Sequence, residues 1–107
     1  MDNKYHNKIT IRDGHIFDSK KEAQRFTELS ILENAGIIEG LELQKTFELI
    51  PKNGSERAVK YIADFYYYDK EKKTYICEDA KGMKTQAYII KRKLFKYRYP
   101  DILFREV

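Results

Sequence analysis

The feature that most constrains the fold is a pair of residue runs on either side of the charged stretch DKEKK. Residues 59–68 and 74–81 are both rich in aromatic and β-branched side chains, which favour half-buried, pleated strands. Two such runs joined by a short polar loop predict an antiparallel hairpin. If residues 70–73 form the loop, the register places Asp64 directly opposite Asp79.

This register brings two acids together on one face of the hairpin. Alternation along the second strand puts Asp79 and Lys81 on one side, and Asp64 shares that side. Opposed like charges are destabilising, where a favourable cross-strand pair contributes roughly 0.2–1 kcal/mol. A divalent cation offsets the repulsion, because Mg²⁺ binds one or two carboxylates together with waters and phosphate oxygens. Two alternatives stay open: Lys81 neutralises the pair, or the register differs and one acid is exposed.

The rest of the chain predicts elements on both sides of this hairpin. Their order is an N-terminal β-hairpin followed by αβββαβ, an α+β arrangement in one domain of 107 residues. The predicted elements are a hairpin turning at Asp13–Gly14, a helix from Lys20 to Asn34 ended by Gly36, a strand over 38–50, a helix capped by Thr85 that runs to about Tyr97, and a last strand in DILFREV.

A third acid lies on the inner face of the first predicted helix. Glu22, Phe26 and Leu29 recur at helical spacing, so Glu22 is expected to face the sheet beside apolar residues. An inward-facing acid needs a partner. One explanation is a capping box in which Glu22 bonds back to the Ser19 amide. A role beside a metal ion is the other, and the two are not exclusive.

The second predicted helix carries the positive charge of the chain. Residues 81–98 contain seven basic residues and no acid, although the whole chain has a net charge of only +4. A patch of one sign favours a polyanion such as nucleic acid, and a solvated helix face is the alternative. The helical spacing of Ala87, Ile90, Leu94 and Tyr97 predicts the stripe that faces the core.

The composition of the chain indicates the cellular compartment in which the protein is expected. No segment approaches the roughly 18 consecutive apolar residues of a membrane span, and the start, MDNKYHNK, lacks the apolar segment of a signal peptide. One cysteine, Cys77, and two histidines exclude an internal disulfide and a zinc set. We therefore expect a cytoplasmic protein that makes no contact with a membrane.

Taken in order, these features resemble the PD-(D/E)XK nuclease superfamily. The resemblance is carried by Glu22 on the first helix, Asp64 in YIADF, Asp79-Ala80-Lys81 on the next strand and the following helix, TQAYIIKRKLF. Within the superfamily, the chain is similar over nearly all of its length to a small family of uncharacterised phage and prophage proteins. Ala63 stands where the motif has proline. Alternation selects Asp79 rather than Glu78, because the acid and lysine of the motif share a face.

The resemblance implies a restriction-endonuclease-like core, with a mixed central sheet flanked by helices, and a metal-dependent endonuclease that hydrolyses DNA phosphodiester bonds. The expected setting is phage recombination, repair or packaging in a bacterial cytoplasm, with branched or flapped DNA among the candidate substrates. Asp64, Asp79 and the Ala80 carbonyl would hold Mg²⁺, for which Mn²⁺ substitutes. Glu22 would complete the set directly or through a water, and Lys81 would orient the attacking water or stabilise negative charge.

The implied DNA-binding residues lie on and just before the second helix. They are Lys84, Gln86, Tyr88, Lys91, Arg92 and Lys93. A homodimer is a candidate assembly, since cutting both strands with one small site usually takes two copies. The alternative function is a catalytically inactive module of the same fold that binds nucleic acid or a protein partner. The four residues Glu22, Asp64, Asp79 and Lys81 favour the enzyme, because a pure binding surface gains nothing from acids beside phosphate.

Overall fold

The structure, a computed structural model, describes residues 10–12, 14–80 and 83–107. It is a mixed α+β fold with two helices and a four-stranded mixed sheet, and its elements follow the predicted order. They are β1 (Thr10–Arg12), β2 (His15–Phe17), α1 (Lys20–Asn34), β3 (Ile38–Ile50), β4 (Val59–Asp69), β5 (Thr74–Asp79), α2 (Gln86–Arg98) and β6 (Leu103–Glu106). No helix in the described part of the chain is both long and apolar enough to cross a membrane.

The N-terminal hairpin and the first helix follow their local sequence signals. β1 and β2 pair antiparallel with Arg12 opposite His15, and Gly14 has a φ of +81°. Asp13, the other turn residue, lies outside the described residues. At the end of α1, Gly36 has a φ of +76° and its N–H donates to the Glu33 carbonyl. The predicted glycine C-cap is therefore confirmed.

The central sheet has the strand order β3-β4-β5-β6. β3, β4 and β5 form antiparallel pairs, and β6 lies parallel to β5 because α2 carries the chain back to the other end of the sheet. Phe65 pairs with Glu78 and Asp69 with Thr74, so residues 70–73 form the hairpin loop. The predicted β4–β5 register is confirmed.

Two hydrophobic clusters pack on opposite faces of the sheet. One, the α1 cluster, includes Phe26 and Leu29 of α1, and the other, the α2 cluster, includes Tyr88 and Phe95 of α2. Strands β3 and β4 contribute residues to one cluster at one end and to the other cluster at the other end. In β3, Leu41 and Leu43 pack on the α1 cluster, whereas Phe47 and Leu49 lie in the α2 cluster; in β4, Ala63 belongs to the α2 cluster and Phe65 to the α1 cluster.

All six of these β3 and β4 positions are odd-numbered, so the alternation of side chains reverses within both strands. The reversal occurs between Leu43 and Phe47 in β3 and between Ala63 and Phe65 in β4. Gln44 and Asp64 therefore lie at the boundary between the two cores.

The predicted buried stripe of α2 is wrong. Ile90 and Tyr97 are 56% and 87% exposed, Ala87 is exposed, and Leu94 is only partly buried. The helix buries Tyr88 and Phe95 instead. Phe95 makes edge contacts with Phe47 and Tyr61, with ring centroids 5.0 and 5.6 Å apart. The aromatic face therefore turns inward, because large rings bury more apolar area than the aliphatic stripe does.

Candidate active site

The candidate site lies where β4 and β5 separate. Their paired region begins at Phe65 and Glu78, so Asp64 and Asp79 are the next residue on each strand. Beyond this point the Ala80 N–H donates to Asp64 Oδ2 at 2.7 Å. The Asp79 carbonyl accepts from the Val107 N–H at 3.0 Å, which continues the pairing with β6. We call this point, where β4 and β5 separate, the fork. Here the Asp64 carboxylate accepts the Ala80 N–H in place of a backbone carbonyl of β4.

Glu22 and Asp64 are in direct contact beneath α1. Glu22 is only 8% exposed, as is Asp64, and a side-chain hydrogen bond joins the two carboxyl groups. Burial, followed by the negative charge of Asp64, raises the pKa of Glu22 to about 8. At neutral pH Glu22 therefore holds a proton beside Asp64. Ser19 Oγ accepts from the Glu22 N–H at 3.1 Å, so the Ser19 half of the predicted capping box forms while the Glu22 carboxyl turns to Asp64.

This proton makes stability depend on pH in the absence of metal ions. The pKa of Glu22 rises from 4.5 to about 8 on folding, so the folded state binds more protons than the unfolded state between those values. The free energy of unfolding should therefore fall as pH rises through this window, by at most about 1.4 kcal/mol per pH unit. Urea unfolding in EDTA over this range measures the slope.

The matched control for this slope is Glu71→Gln, which changes an exposed acid in the β4–β5 loop. Glu22→Gln should remove most of the decline in unfolding free energy, whereas Glu71→Gln should leave it unchanged. An undiminished decline in Glu22→Gln would show that the proton on the buried Glu22 is not its cause.

Asp79 is the third acid at the fork. It is fully buried, and Tyr61 donates its hydroxyl hydrogen to Asp79 Oδ2. Burial, then this hydrogen bond and the Asp79 charge, raise the pKa of Tyr61. Asp79 and Asp64 lie close enough for both charges to raise the pKa of Glu22 and that of Cys77, although burial is the largest cause in each case.

The three acids do not form a closed cluster. Asp64 contacts Glu22 of α1, whereas Asp79 contacts Tyr61 of the α2 cluster. Within residues 10–12, 14–80 and 83–107, no group of three or more His, Cys, Asp or Glu side chains is arranged to hold a metal ion. The predicted common face of Asp64 and Asp79 thus stays a prediction, although their adjacency at the fork follows from the confirmed register. Lys81 lies outside the described residues.

Glu78, the neighbour of Asp79, contacts α1 through Arg25. It is fully buried and receives two hydrogen bonds from Arg25, from Nε at 2.7 Å and from Nη2 at 2.6 Å. The Tyr67 hydroxyl also donates to it, and Arg105 Nη1 lies 3.6 Å away. Its oxygens are thus bound to cations and a hydroxyl on the α1 face, while Asp79 contacts Tyr61 on the other face, as alternation along β5 requires.

Three residues predicted to contact DNA converge on Glu106 of β6. The Tyr88 hydroxyl donates to Glu106 at 2.6 Å, Arg92 Nη1 lies 3.1 Å from both carboxylate oxygens, and Lys84 Nζ lies 3.5 Å away. These contacts lower the pKa of Glu106, with the Tyr88 hydrogen bond as the largest cause. Gln86 and Lys93 are exposed, and Lys91 is half-buried. The predicted DNA-binding residues thus divide into a group bound to Glu106 and an outward-facing group.

Sequence reasoning missed several residues around the acids. Tyr61 lies three residues before Asp64, and Glu106 pairs with Asp79 across β5 and β6. The order of the elements could have indicated Glu106, because a last strand that runs parallel to β5 ends beside the end of β5, where Asp79 lies. Gln44, whose Nε2 lies 3.5 Å from Asp64 Oδ1, gave none.

The fold and the fork define an α+β protein with buried acids at a strand fork and a basic second helix. A family model described as "Protein of unknown function (DUF1064)" matches residues 2–106, so the chain belongs to this family. No curated protein and no solved structure matches the chain.

Proposed function

We propose that this protein is a Mg²⁺-dependent DNA endonuclease with a restriction-endonuclease-like core of the PD-(D/E)XK type. The observation that carries the proposal is the contact between two buried acids, Glu22 and Asp64, with a third, Asp79, next to them across the fork. Neighbouring buried acids can all stay charged only where a cation binds them; without one, Glu22 carries a proton at neutral pH. The basic residues on and just before α2 supply a surface for a polyanion. Two of them, Lys84 and Arg92, contact Glu106, which pairs with Asp79.

The residues at the fork fit a hard divalent cation. Their donors are carboxylate and carbonyl oxygens, which are the ligands Mg²⁺ prefers. After burial, the negative charge of Asp64 is the next cause of the raised pKa of Glu22, and a bound cation would relieve that repulsion. Asp64, Asp79 and the Ala80 carbonyl would hold the ion, with Glu22 directly or through a water. When bound, Mg²⁺, or Mn²⁺ in its place, polarises a phosphoryl oxygen and lowers the pKa of a bound water.

The protein's own groups orient the acids. The Ala80 N–H fixes one oxygen of Asp64, and the Tyr61 hydroxyl fixes one oxygen of Asp79. Such outer contacts tune metal affinity and activity by roughly 10- to 100-fold in other sites. In the proposed mechanism Lys81 orients the attacking water. Lys91 and Lys93 bind phosphates, which positions DNA without reading its sequence.

The contacts of Glu106 refine the DNA-binding part of the proposal. Lys84 and Arg92 already neutralise a carboxylate, so a DNA phosphate that binds them must share them with Glu106. We therefore assign the outward Lys93, Gln86 and half-buried Lys91 to the DNA backbone, and Tyr88 to the support of Glu106.

The test of this function is cleavage by the purified protein. Linear, supercoiled, flapped and four-way DNA are incubated with Mg²⁺, Mn²⁺ or EDTA. We expect cleavage of at least one of these substrates with either metal and none in EDTA, because the metal supplies the activated water. Cleavage that persists in EDTA would contradict the metal mechanism. The absence of cleavage of all four substrates with both metals would contradict the enzyme proposal.

A second candidate is a module of the same fold that binds nucleic acid or a protein without cleaving. The exposed Ile90 and Tyr97 favour it, because they form an apolar face on α2 beside the basic Lys93. This candidate predicts DNA or protein binding that EDTA leaves unchanged. The homodimer remains a prediction without an assigned interface, and sedimentation of the purified protein tests it.

A further inference from the structure

One residue at the fork has a backbone conformation that its side chain does not favour. Gln44 has a φ of +53° within the thirteen-residue strand β3. Among the described residues, the other non-glycine residue with positive φ is Lys73, in the β4–β5 loop, where this conformation is ordinary. A left-handed glutamine inside a strand is strained, and such strain persists only where the surroundings enforce it.

The fold alone does not explain a glutamine at this position. The left-handed backbone lies where β3 changes from the α1 cluster to the α2 cluster, so the conformation itself serves the packing. Glycine adopts it without strain, and Gly40 does so in the same strand with a φ of +68°. The chain thus uses glycine at one left-handed position of β3 and glutamine at the other.

The two positions differ in what lies opposite. Gln44 lies across from Asp64 in the β3–β4 pairing, between the pairs Leu43–Phe65 and Lys45–Ala63. Its Nε2 lies 3.5 Å from Asp64 Oδ1, while Asp64 Oδ2 accepts from the Ala80 N–H at 2.7 Å. Gln44 is an exposed residue whereas Asp64 is buried, so the amide approaches the carboxylate from the solvent side. A donor from β3 and a donor from the residue that follows β5 therefore each face one oxygen of the same carboxylate.

We propose that Gln44 is a positioning residue of the nuclease site, whose side-chain amide orients the Asp64 carboxylate toward the metal and the scissile phosphate. This inference rests on the proposed function. The hydrogen bond to Asp64 is long without substrate and shortens when the site binds its ligands, as catalytic hydrogen bonds often do. The orienting role of the amide then explains why this strained position has glutamine and not glycine.

Two substitutions separate the amide from the backbone conformation. Gln44→Gly keeps the left-handed φ and removes the side chain; Gln44→Met keeps the length of the side chain and removes its hydrogen-bond donor. Both should lower kcat and the affinity for Mn²⁺ by roughly 10-fold while KM for DNA changes little. The melting temperature of Gln44→Gly should equal or exceed that of the parent, because the strain is relieved. Thr46→Gly, at an exposed position of the same strand, is the control; it should lower the melting temperature and leave kcat unchanged.

The outcomes distinguish this inference from the function on which it rests. Parental kcat and Mn²⁺ affinity in Gln44→Met would overturn the role of the amide while leaving the nuclease proposal intact. A marked loss of stability in Gln44→Gly would overturn it as well, by showing that the side chain serves folding. If the parent itself cleaves none of the four substrates with Mg²⁺ or Mn²⁺, the nuclease proposal fails and this inference fails with it.

Discussion

Asp79→Asn should abolish metal-dependent cleavage, with a loss in kcat of about 100-fold or more. Asparagine keeps the shape of the side chain and can still accept the Tyr61 hydrogen bond, so the fold should persist. It lacks the negative charge that holds a cation. Removal of a negative charge near phosphate should leave DNA affinity unchanged or raise it, which separates loss of chemistry from loss of binding. The measurement is single-turnover cleavage together with a binding titration.

The control for this prediction is Asp101→Asn, which removes an exposed acid before β6 and should leave cleavage unchanged. Asp64→Asn should behave as Asp79→Asn does. If both active-site variants cut at the parental rate, with contaminating nuclease excluded, the assignment of the acids is wrong.

The second large effect concerns the fold. Arg25→Ala should lower the free energy of unfolding by about 3–5 kcal/mol, because it leaves the buried Glu78 carboxylate without its two-point partner. Arg105 at 3.6 Å and the Tyr67 hydroxyl would remain, and neither replaces a bidentate guanidinium. Urea unfolding monitored by circular dichroism measures the loss.

Glu28→Ala provides the comparison for Arg25→Ala. It removes the exposed partner of the same arginine, with Nη1 and Oε1 3.2 Å apart, and should cost at most about 0.5 kcal/mol. A cost below about 1 kcal/mol for Arg25→Ala would show that Glu78 does not depend on this pair. The result is independent of any enzymatic activity.

Much of the fold was predictable because its signals are local. The β4–β5 register follows from the loop length and the two-residue period of strands, and it placed Asp64 beside Asp79 correctly. The ends of α1 follow from Ser19 and Gly36. Glu22 was expected to face inward from helical spacing alone, and it is buried. In these cases a single helix, or two strands joined by a short loop, is enough to place the residue.

The missed features depend on how elements meet. The buried face of α2 was wrong because Phe95 finds aromatic partners on other strands, which no pattern within the helix reveals. The side chains of β3 and β4 change faces at Gln44 and Asp64. The two-residue alternation could not predict this change, because it assumes a regular strand. The convergence of Lys84 and Arg92 on Glu106 likewise required the parallel pairing of β5 and β6. Sequence reasoning therefore found the acids and missed the residues that surround them.

The central claim is that the fork between β4 and β5 binds one divalent ion through oxygens of both strands. A crystal soaked in Mn²⁺ tests it most directly, because the anomalous scattering of the ion marks its position. Our account predicts a single peak between Asp64 and Asp79 that disappears in the Asp64→Asn variant. A fully soaked crystal with no peak at the fork, or with manganese bound only elsewhere, would contradict it.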